Sequence, residues 1–439
     1  MSHMIITAIG SAGDVHPMLG IGAALASRGH RVTFCSHPQY AETAARRGFS
    51  FVPVGTAEAY AMALADPALW DPHTSFPTLW QAVAPMMRPH FDALSALVDD
   101  DTVLIGTLWA FSARLMQERY GTPFVLVQSY PSAMLSAYAP PTLKGLTVPG
   151  WLPLVLKRAL ITFIERGVID RVCGPELNAV RAGLGLPEVK RILGRWLPSK
   201  DGVLCLFPSW FAADQPDWPE NRLLSGFPLF NDIADVADDA ELDAFITADE
   251  APVVFTAGST RVDLDHYLRM VNETLAATGL RGILLAPDLR DTRHDKLLIR
   301  SYVPLRTLLP RCRALVHHAG VGTAALAYEA GVPQVLTPFA HDQFDNAQRV
   351  AASGCGVVID ELTNSDSLIR GLKQVLDDET LAAQCQRHRT LVTEAPNGCE
   401  VSARFIERVI HSSFPPVDTR LDLDRRPAGS PHTSGIGQT

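Results

Sequence analysis

Three short stretches hold residues whose types and spacing could do chemistry. In "ALVHHAGVGT" (residues 314 to 323) two histidines stand where an apolar run is ending, and Ala319, Gly320, Val321, Gly322 and Thr323 follow His318. Residues this small let backbone N–H groups approach an anion closely, and the helix that "AALAYEAG" would start adds its positive dipole end. "TAGST" offers a second turn of this kind, in which Gly258, Ser259 and Thr260 end a run and can cap the next helix. Two such turns on neighbouring strands would clamp a diphosphate without a metal ion. Neither is a GxxxxGK[ST] loop nor a GxGxxG fingerprint, because the Lys and the glycine spacing are missing.

The third stretch, "GVPQVLTPFAHDQFDN", sets Asp342 beside Gln343. An adjacent carboxylate and amide can hold vicinal hydroxyls, since one accepts two hydrogen bonds and the other both donates and accepts. This is sugar-recognition chemistry, although such a pair standing alone is more often a helix cap with a solvated neighbour. At the other end of the chain, "IGSAGDVHPMLG" puts Asp14 on a Gly-rich turn before a helix that starts near Pro17. Gly10 and Gly13 resemble part of a dinucleotide fingerprint, but the third glycine is absent and an acid here would repel a pyrophosphate.

These residues need rigid elements to carry them. At 439 residues the chain is too long for one ordinary core, and two domains are expected. Short runs rich in Val, Ile and Leu alternate with longer helical patterns throughout, the pattern of βαβ units and parallel sheets. Strands are predicted at 5 to 10, 31 to 36, 50 to 55, 102 to 107, 124 to 129 and 202 to 207, then at 252 to 259, 281 to 287, 314 to 318, 333 to 339 and 355 to 360. The fold class is therefore α/β, with two Rossmann-like, doubly wound parallel-sheet domains facing a cleft. The first domain spans 1–220 and the second 241–396. Residues 221–240, acidic and carrying turn signals, read as a linker, 397–412 as a C-terminal helix, and 415–439 as a disordered tail. Ser2 and His3 are set aside as a cloning remnant.

Composition narrows the function. Hydrophobic residues make up 47% and charged residues 19%, which describes a well-cored globular chain. The formal net charge of -9 argues against nucleic acid, whose backbone needs clustered cations. The 7 cysteines are scattered with no CxxC pair, which fits reduced thiols and a cytoplasmic setting. "WLPLVLKRALITFI" from Trp151 is too short to span a bilayer. It reads as an amphipathic helix packed on the protein, with contact to the inner membrane face or a lipid substrate as the alternative. Between residues 60 and 215, "DPALWDPHTSFPTLWQAVAPMM" is rich in Pro and aromatic residues beside the expected cleft. Phe76, Trp80, Trp109 and Tyr130 are the candidate acceptor-binding side chains, and they suit a lipidic acceptor better than a sugar or a peptide.

Taken together, the order H-x-G-x-G-T, GVP and P-x-x-x-D-Q resembles the donor-binding signature of the GT-B, family 1 glycosyltransferases. The resemblance implies that His318 and the amides of Gly320, Gly322 and Thr323 hold the diphosphate of a nucleotide sugar, and the TAGST turn would add Ser259 and Thr260 to that clamp. It implies that Asp342 and Gln343 hold the sugar, and that Tyr302 and Val303 meet the nucleobase, Tyr302 departing from the family's usual Trp. Leu326 stands where many members have a ribose-binding Glu. The family's base is the His of G-H-x-x-P or the Asp of G-D-x-x-P; here Gly13-Asp14-Val15-His16-Pro17 matches the second form. Asp14 is thus the expected catalytic base, and His16 either assists it or caps the helix.

Longer stretches, among them "AIGSAGDVHP", "DPALWDPHTSF", "GTLWAFSARL" and "GVPQVLTPFAHDQFDNAQRV", resemble the rhamnosyltransferases of bacterial rhamnolipid synthesis. That likeness implies dTDP-L-rhamnose as donor and a 3-(3-hydroxyalkanoyloxy)alkanoate lipid as acceptor. It also suggests association with the enzyme that supplies the lipid. No cofactor and no metal are expected, the nucleotide sugar being a substrate. Three alternatives stay open: a UDP-sugar transferase acting on a sterol or polyketide, a nucleotide-sugar epimerase, and an inactive relative that activates a partner transferase. An inactive relative predicts loss of the base or the donor histidine, and both Asp14 and His318 are present.

Overall fold

The computed structural model describes residues 1–145, 147–230, 239–256 and 263–413. Two seven-stranded sheets carry the chain. The first uses β1 (His3–Ala8), β2 (Arg31–Ser36), β3 (Ser50–Pro53), β4 (Thr102–Gly106), β5 (Phe124–Gln128), β6 (Gly202–Cys205) and β7 (Arg222–Leu224). The second uses β8 (Val253–Thr256), β9 (Gly282–Leu285), β10 (Thr292–Arg293), β11 (Leu297–Arg300), β12 (Ala314–His317), β13 (Gln334–Leu336) and β14 (Gly356–Val358). Strand order is β3-β2-β1-β4-β5-β6-β7 in one and β10-β11-β9-β8-β12-β13-β14 in the other. All pairings are parallel except β10 with β11.

Central strands such as β4, β5, β8 and β12 are buried at every residue, because helices cover both faces of a parallel sheet. That explains why they read as continuous apolar runs. Each sheet has a switch point, between β1 and β4 in the first and between β8 and β12 in the second. The crevice at such a switch point is where ligands bind in open α/β sheets. Asp14 follows β1 and His318 follows β12, so both strand-end loops open at a switch point.

Several expectations need correction. His3, left out of the fold by the sequence reading, takes part in it: it begins β1, pairs with Arg31, and its Nε2 lies 2.7 Å from Thr33 Oγ1. The proposed linker 221–240 is too long at its start, because Arg222–Leu224 forms the edge strand β7 against β6. Arg222–Leu224 stands next to the turn-rich, acidic linker rather than inside a longer apolar run, and β7 escapes a reading of the sequence. The strands β10 and β11 escape it as well. The second lobe opens with the helix Ala240–Thr247, capped by Asp239, whose Oδ1 accepts from Leu242 N at 2.9 Å. Residues 231–238 of that linker and the tail 415–439 lie outside the described residues.

The helix Gly398–Ser413 packs on the first lobe against the helix Ala12–Ser27. Its Ala403, Ile406, Val409 and Ile410 join the core containing Met4, Ile6 and Phe34. Close approach requires Gly20, where a Cβ would come within 2.8 Å of Cys399 Sγ. At the rim, Arg28 donates to both carboxylate oxygens of Glu407 at 2.9 and 2.6 Å. The lobes also meet through Trp210, Phe211 and Phe227 of the first and Tyr328 of the second, with the Trp210 and Tyr328 rings 5.0 Å apart.

Candidate active site

On the donor side, β12 ends in a turn braced from below. His317 is fully buried; its Nδ1 accepts from Ala319 N at 3.2 Å, which fixes the proton on Nε2, 3.0 Å from Gln334 Oε1. Ala319 takes the left-handed conformation at φ 67, uncommon for a residue with a side chain, and its carbonyl accepts from Asn346 Nδ2 at 3.1 Å. The two histidines thus divide the work: His317 holds the turn and His318 faces the cavity. Burial pulls the His318 imidazole down to about 4, so at neutral pH it is neutral and can offer an anion an N–H. Its Nδ1 is buried with no hydrogen-bond partner among the described residues. Gly320 is required beside it, since a Cβ there would lie 2.7 Å from His318 Nε2.

The helix Val321–Ala330 starts here with no side-chain cap, and Ala324 N is the first to bond back, to Gly320 O. The amides of Val321, Gly322 and Thr323 are left at the positive end of the dipole. Gly320, Gly322 and Thr323 line the cavity with His318. Ser259 and Thr260 lie outside the described residues. Tyr302 and Val303 follow β11 at the cavity wall, Tyr302 67% exposed and Val303 buried.

After β13, Asp342 and Gln343 enter the same cavity. Asp342 heads the helix Gln343–Ala352 but its side chain caps nothing; its Oδ2 accepts from Asn346 Nδ2 at 2.6 Å. Burial raises its carboxyl to about 6. Gln343 spends its carbonyl oxygen on the backbone, accepting from Phe339 N at 2.9 Å and Ala340 N at 3.0 Å. Only its amide nitrogen is left for a sugar, which narrows the sugar-holding role expected of it.

On the opposite lobe, Gly10 at φ 139 turns the chain out of β1, and Asp14 stands at the third position of the helix Ala12–Ser27. Ser11 donates its N–H at 3.0 Å and its hydroxyl at 3.3 Å to Asp14 Oδ2. Both bonds fall on one oxygen, so the other is left to a substrate proton. A Cβ on Gly10 would lie 2.3 Å from Asp14 Oδ2, so the carboxylate can sit here only over a glycine. Asp14 keeps some exposed surface, yet protein surrounds it in the cleft. Burial first, and then the facing charge of Asp342, push its carboxyl up to about 7. A base poised near the working pH is what proton abstraction from an alcohol requires.

Asp14, His318 and Asp342 share one cavity of about 1210 Å³. Tyr130 lies close to both carboxylates; burial and the charges of Asp14 and Asp342 hold its hydroxyl protonated, well above the ordinary tyrosine range. Phe76 and Trp109 line the apolar part, their rings 6.2 Å apart. Trp80 does not: it is 2% exposed, with Nε1 donating to Glu176 Oε2 at 3.1 Å and its ring 5.4 Å from Phe111. The aromatic-rich stretch around it suggested an acceptor-binding side chain, but the bond to Glu176 draws Trp80 into the core. His16 lines the cavity, exposed, with its ring edge-on to Tyr40 at 6.2 Å.

Asn346 escaped the sequence reading although it ties the turn after β12 to Asp342. Its place one helical turn beyond Asp342 in "DQFDN" was the available signal. His341 was also missed. It lines the cavity in the left-handed region at φ 53, with Trp70 of the facing lobe 5.6 Å away edge-on. Two of the three described non-glycine residues with positive φ, Ala319 and His341, therefore flank the site. Among the described residues no group of three His, Cys, Asp or Glu side chains is arranged to hold a metal ion.

Comparison with known proteins agrees with this geometry. The chain matches the family profile of the glycosyltransferase family 28 N-terminal domain over residues 4–139. It matches the erythromycin biosynthesis protein CIII-like C-terminal domain over residues 286–408. Glycosyltransferase GtfE of Amycolatopsis orientalis is 30% identical over 400 residues, covering 86% of this chain and 91% of that protein. Among solved structures, the glycotransferase of kitacinnamycin is similar with a TM-score of 0.72 at 20% identity, over 93% of this chain and 99% of that one. Glycosyltransferase VinC in complex with dTDP gives a TM-score of 0.66 at 21% identity, over 93% of this chain and 100% of that one. The chain belongs to the family 1 glycosyltransferases of GT-B fold.

Proposed function

We propose that this glycosyltransferase moves L-rhamnose from dTDP-L-rhamnose to the hydroxyl of a 3-(3-hydroxyalkanoyloxy)alkanoate, inverting the anomeric carbon and giving a mono-rhamnolipid. The observation that carries the reading is the shared cavity, in which a carboxylate poised near neutrality opens onto an apolar wall while an anion cradle faces it. Asp14 takes the proton of the acceptor hydroxyl as its oxygen attacks the anomeric carbon. The bond from that carbon to the diphosphate oxygen breaks on the opposite face. The departing charge is met by the His318 N–H and the amides of Val321, Gly322 and Thr323, so no separate acid is needed. Asp342 and the Gln343 amide orient the sugar.

A thymidine donor is supported by the similarity to VinC, which binds dTDP. The lipid acceptor is supported by Phe76, Trp109 and the other apolar side chains of the wall. The test is a panel of nucleotide sugars incubated with hydroxyacyl lipid, sterol or polyketide acceptors, with release of the nucleoside diphosphate measured. Turnover of dTDP-L-rhamnose with the hydroxyacyl lipid, unaffected by a chelator, is the expected result. Turnover confined to UDP-sugars or to polycyclic acceptors overturns this substrate assignment, and a divalent-cation requirement overturns the leaving-group scheme.

A further inference from the structure

The helix Leu154–Ile164 breaks the rule that apolar helix faces are covered. None of its eleven residues is buried. Trp151 just ahead of it is 81% exposed, Val155 74%, Leu156 52% and Phe163 72%. The packed amphipathic helix expected from "WLPLVLKRALITFI" is thus corrected, since this apolar side faces outward. Leu156, Ala159 and Phe163 fall along one side at spacings of three and four. Ile161, Ile164 and then Val168 point the other way and line the cavity. One element therefore has an apolar face inward, to the acceptor cavity, and an apolar face outward. It is firmly seated: the adjoining Glu165 is fully buried and accepts from Gly194 N at 2.6 Å and Arg191 Nε at 2.8 Å.

Charge indicates what covers the outer face. From Tyr138 to Ile164 the sequence holds Lys144, Lys157 and Arg158 and no Asp or Glu, in a chain of formal net charge -9. Neutral groups hold two of these cations: Lys157 Nζ donates to Gly150 O at 3.0 Å and Arg158 to Tyr138 Oη at 2.9 Å. Their charge is not offset by those partners. A second copy docking by the same face would set cations against cations. A basic rim around exposed Trp and Phe fits the boundary between headgroups and acyl chains of an anionic bilayer.

We propose that residues 150–168, together with Lys144, form a membrane-docking face through which the acceptor enters the cavity directly from the lipid. This rests on the lipid-acceptor reading above. Trp151, Val155, Leu156 and Phe163 enter the boundary region, and Lys144, Lys157 and Arg158 meet the headgroups.

The test is co-sedimentation of the full chain with vesicles of phosphatidylcholine alone or mixed with phosphatidylglycerol. Binding to the mixed vesicles, weakened by salt, is expected. The pair Trp151→Ser and Phe163→Ser, and separately Lys157→Glu with Arg158→Glu, should each lower binding on the order of tenfold or more, with unchanged thermal melts. Absence of binding by the parent chain, or variants that bind as the parent does, overturns the proposal. So does a dimer in lipid-free gel filtration that these variants dissociate. Transfer to detergent-dispersed acceptor is measured in parallel. Its retention in variants that no longer sediment supports the docking role, whereas its absence in the parent removes the lipid-acceptor reading while sedimentation still reports on docking.

Discussion

The two walls of the cleft are built on opposite plans. On the donor wall His317, Ala319, Asn346, Asp342 and Gln343 each have a hydrogen-bond partner. The acceptor wall pairs Ser11 with Asp14 and carries many apolar side chains, part of them on helices that bury little. The helix Ala57–Ala65 has no buried residue, and neither does Leu154–Ile164. A diphosphate and a sugar have fixed shapes and directional acceptors, so preorganised donors recognise them. The flexible apolar acceptor we propose would give no directions to match, so its wall would supply area and a well-placed base.

Four substitutions would break or sharpen that contrast. Asp14→Asn should lower kcat by about 10²- to 10⁴-fold, the usual contribution of a general base, with the dissociation constant for dTDP nearly unchanged. Its carboxyl is raised when folded, so the stability tied to its protonation is full near pH 4 and is lost as pH rises through about 7. The empty variant should therefore melt above the parent on the alkaline side, with the gap closing as the solution is acidified. Equal melts at all pH values would contradict the burial cost assigned to the ionised form.

His318→Ala removes a donor to a charged oxygen, and titration with dTDP should show roughly a 10- to 100-fold loss of affinity. An unaltered titration would remove it from the diphosphate site. Phe76→Ala, on the other wall, should raise the acceptor KM about fivefold and leave dTDP affinity unaltered, since a half-buried ring contributes about 1 kcal/mol. A change in dTDP affinity would show that the two walls are not independent. The smallest effect expected is in the pH profile. The acid limb of kcat/KM should fall near pH 7 for the parent and shift to lower pH in Asp342→Asn, because the facing charge that helps to raise Asp14 is gone. A limb that stays in place would show that the carboxylates do not sense each other.

Legibility in the sequence tracked the same contrast. The doubly wound architecture was readable because buried parallel strands leave continuous apolar runs, and the anion turn because glycines crowd after His318. The short strands β7 and β11 were not read, whereas β13 and β14, no longer than β7, lie inside longer apolar runs that were. Trp80 lies in an aromatic-rich stretch whose composition points to the cavity, but composition does not say which neighbour a side chain meets. Ala319 gave no warning of its positive φ, and His341 only a faint one, since histidine is merely enriched in that region.

What the sequence determined alone was the inventory: two α/β lobes, a carboxylate on a glycine turn, an imidazole at a strand end and a run of apolar residues with cations but no acids. These come from local chemistry, which depends on neighbours a few residues away. Only the tertiary structure decided that Asp14 and Asp342, 328 positions apart in the chain, face each other closely enough to shift a proton equilibrium. It also decided that His317 braces while His318 faces the cavity, and that the helix after Trp151 turns its apolar side outward. Burial and through-space charge arise when distant segments meet across a cleft, and neither is a property of a residue in its own stretch of sequence.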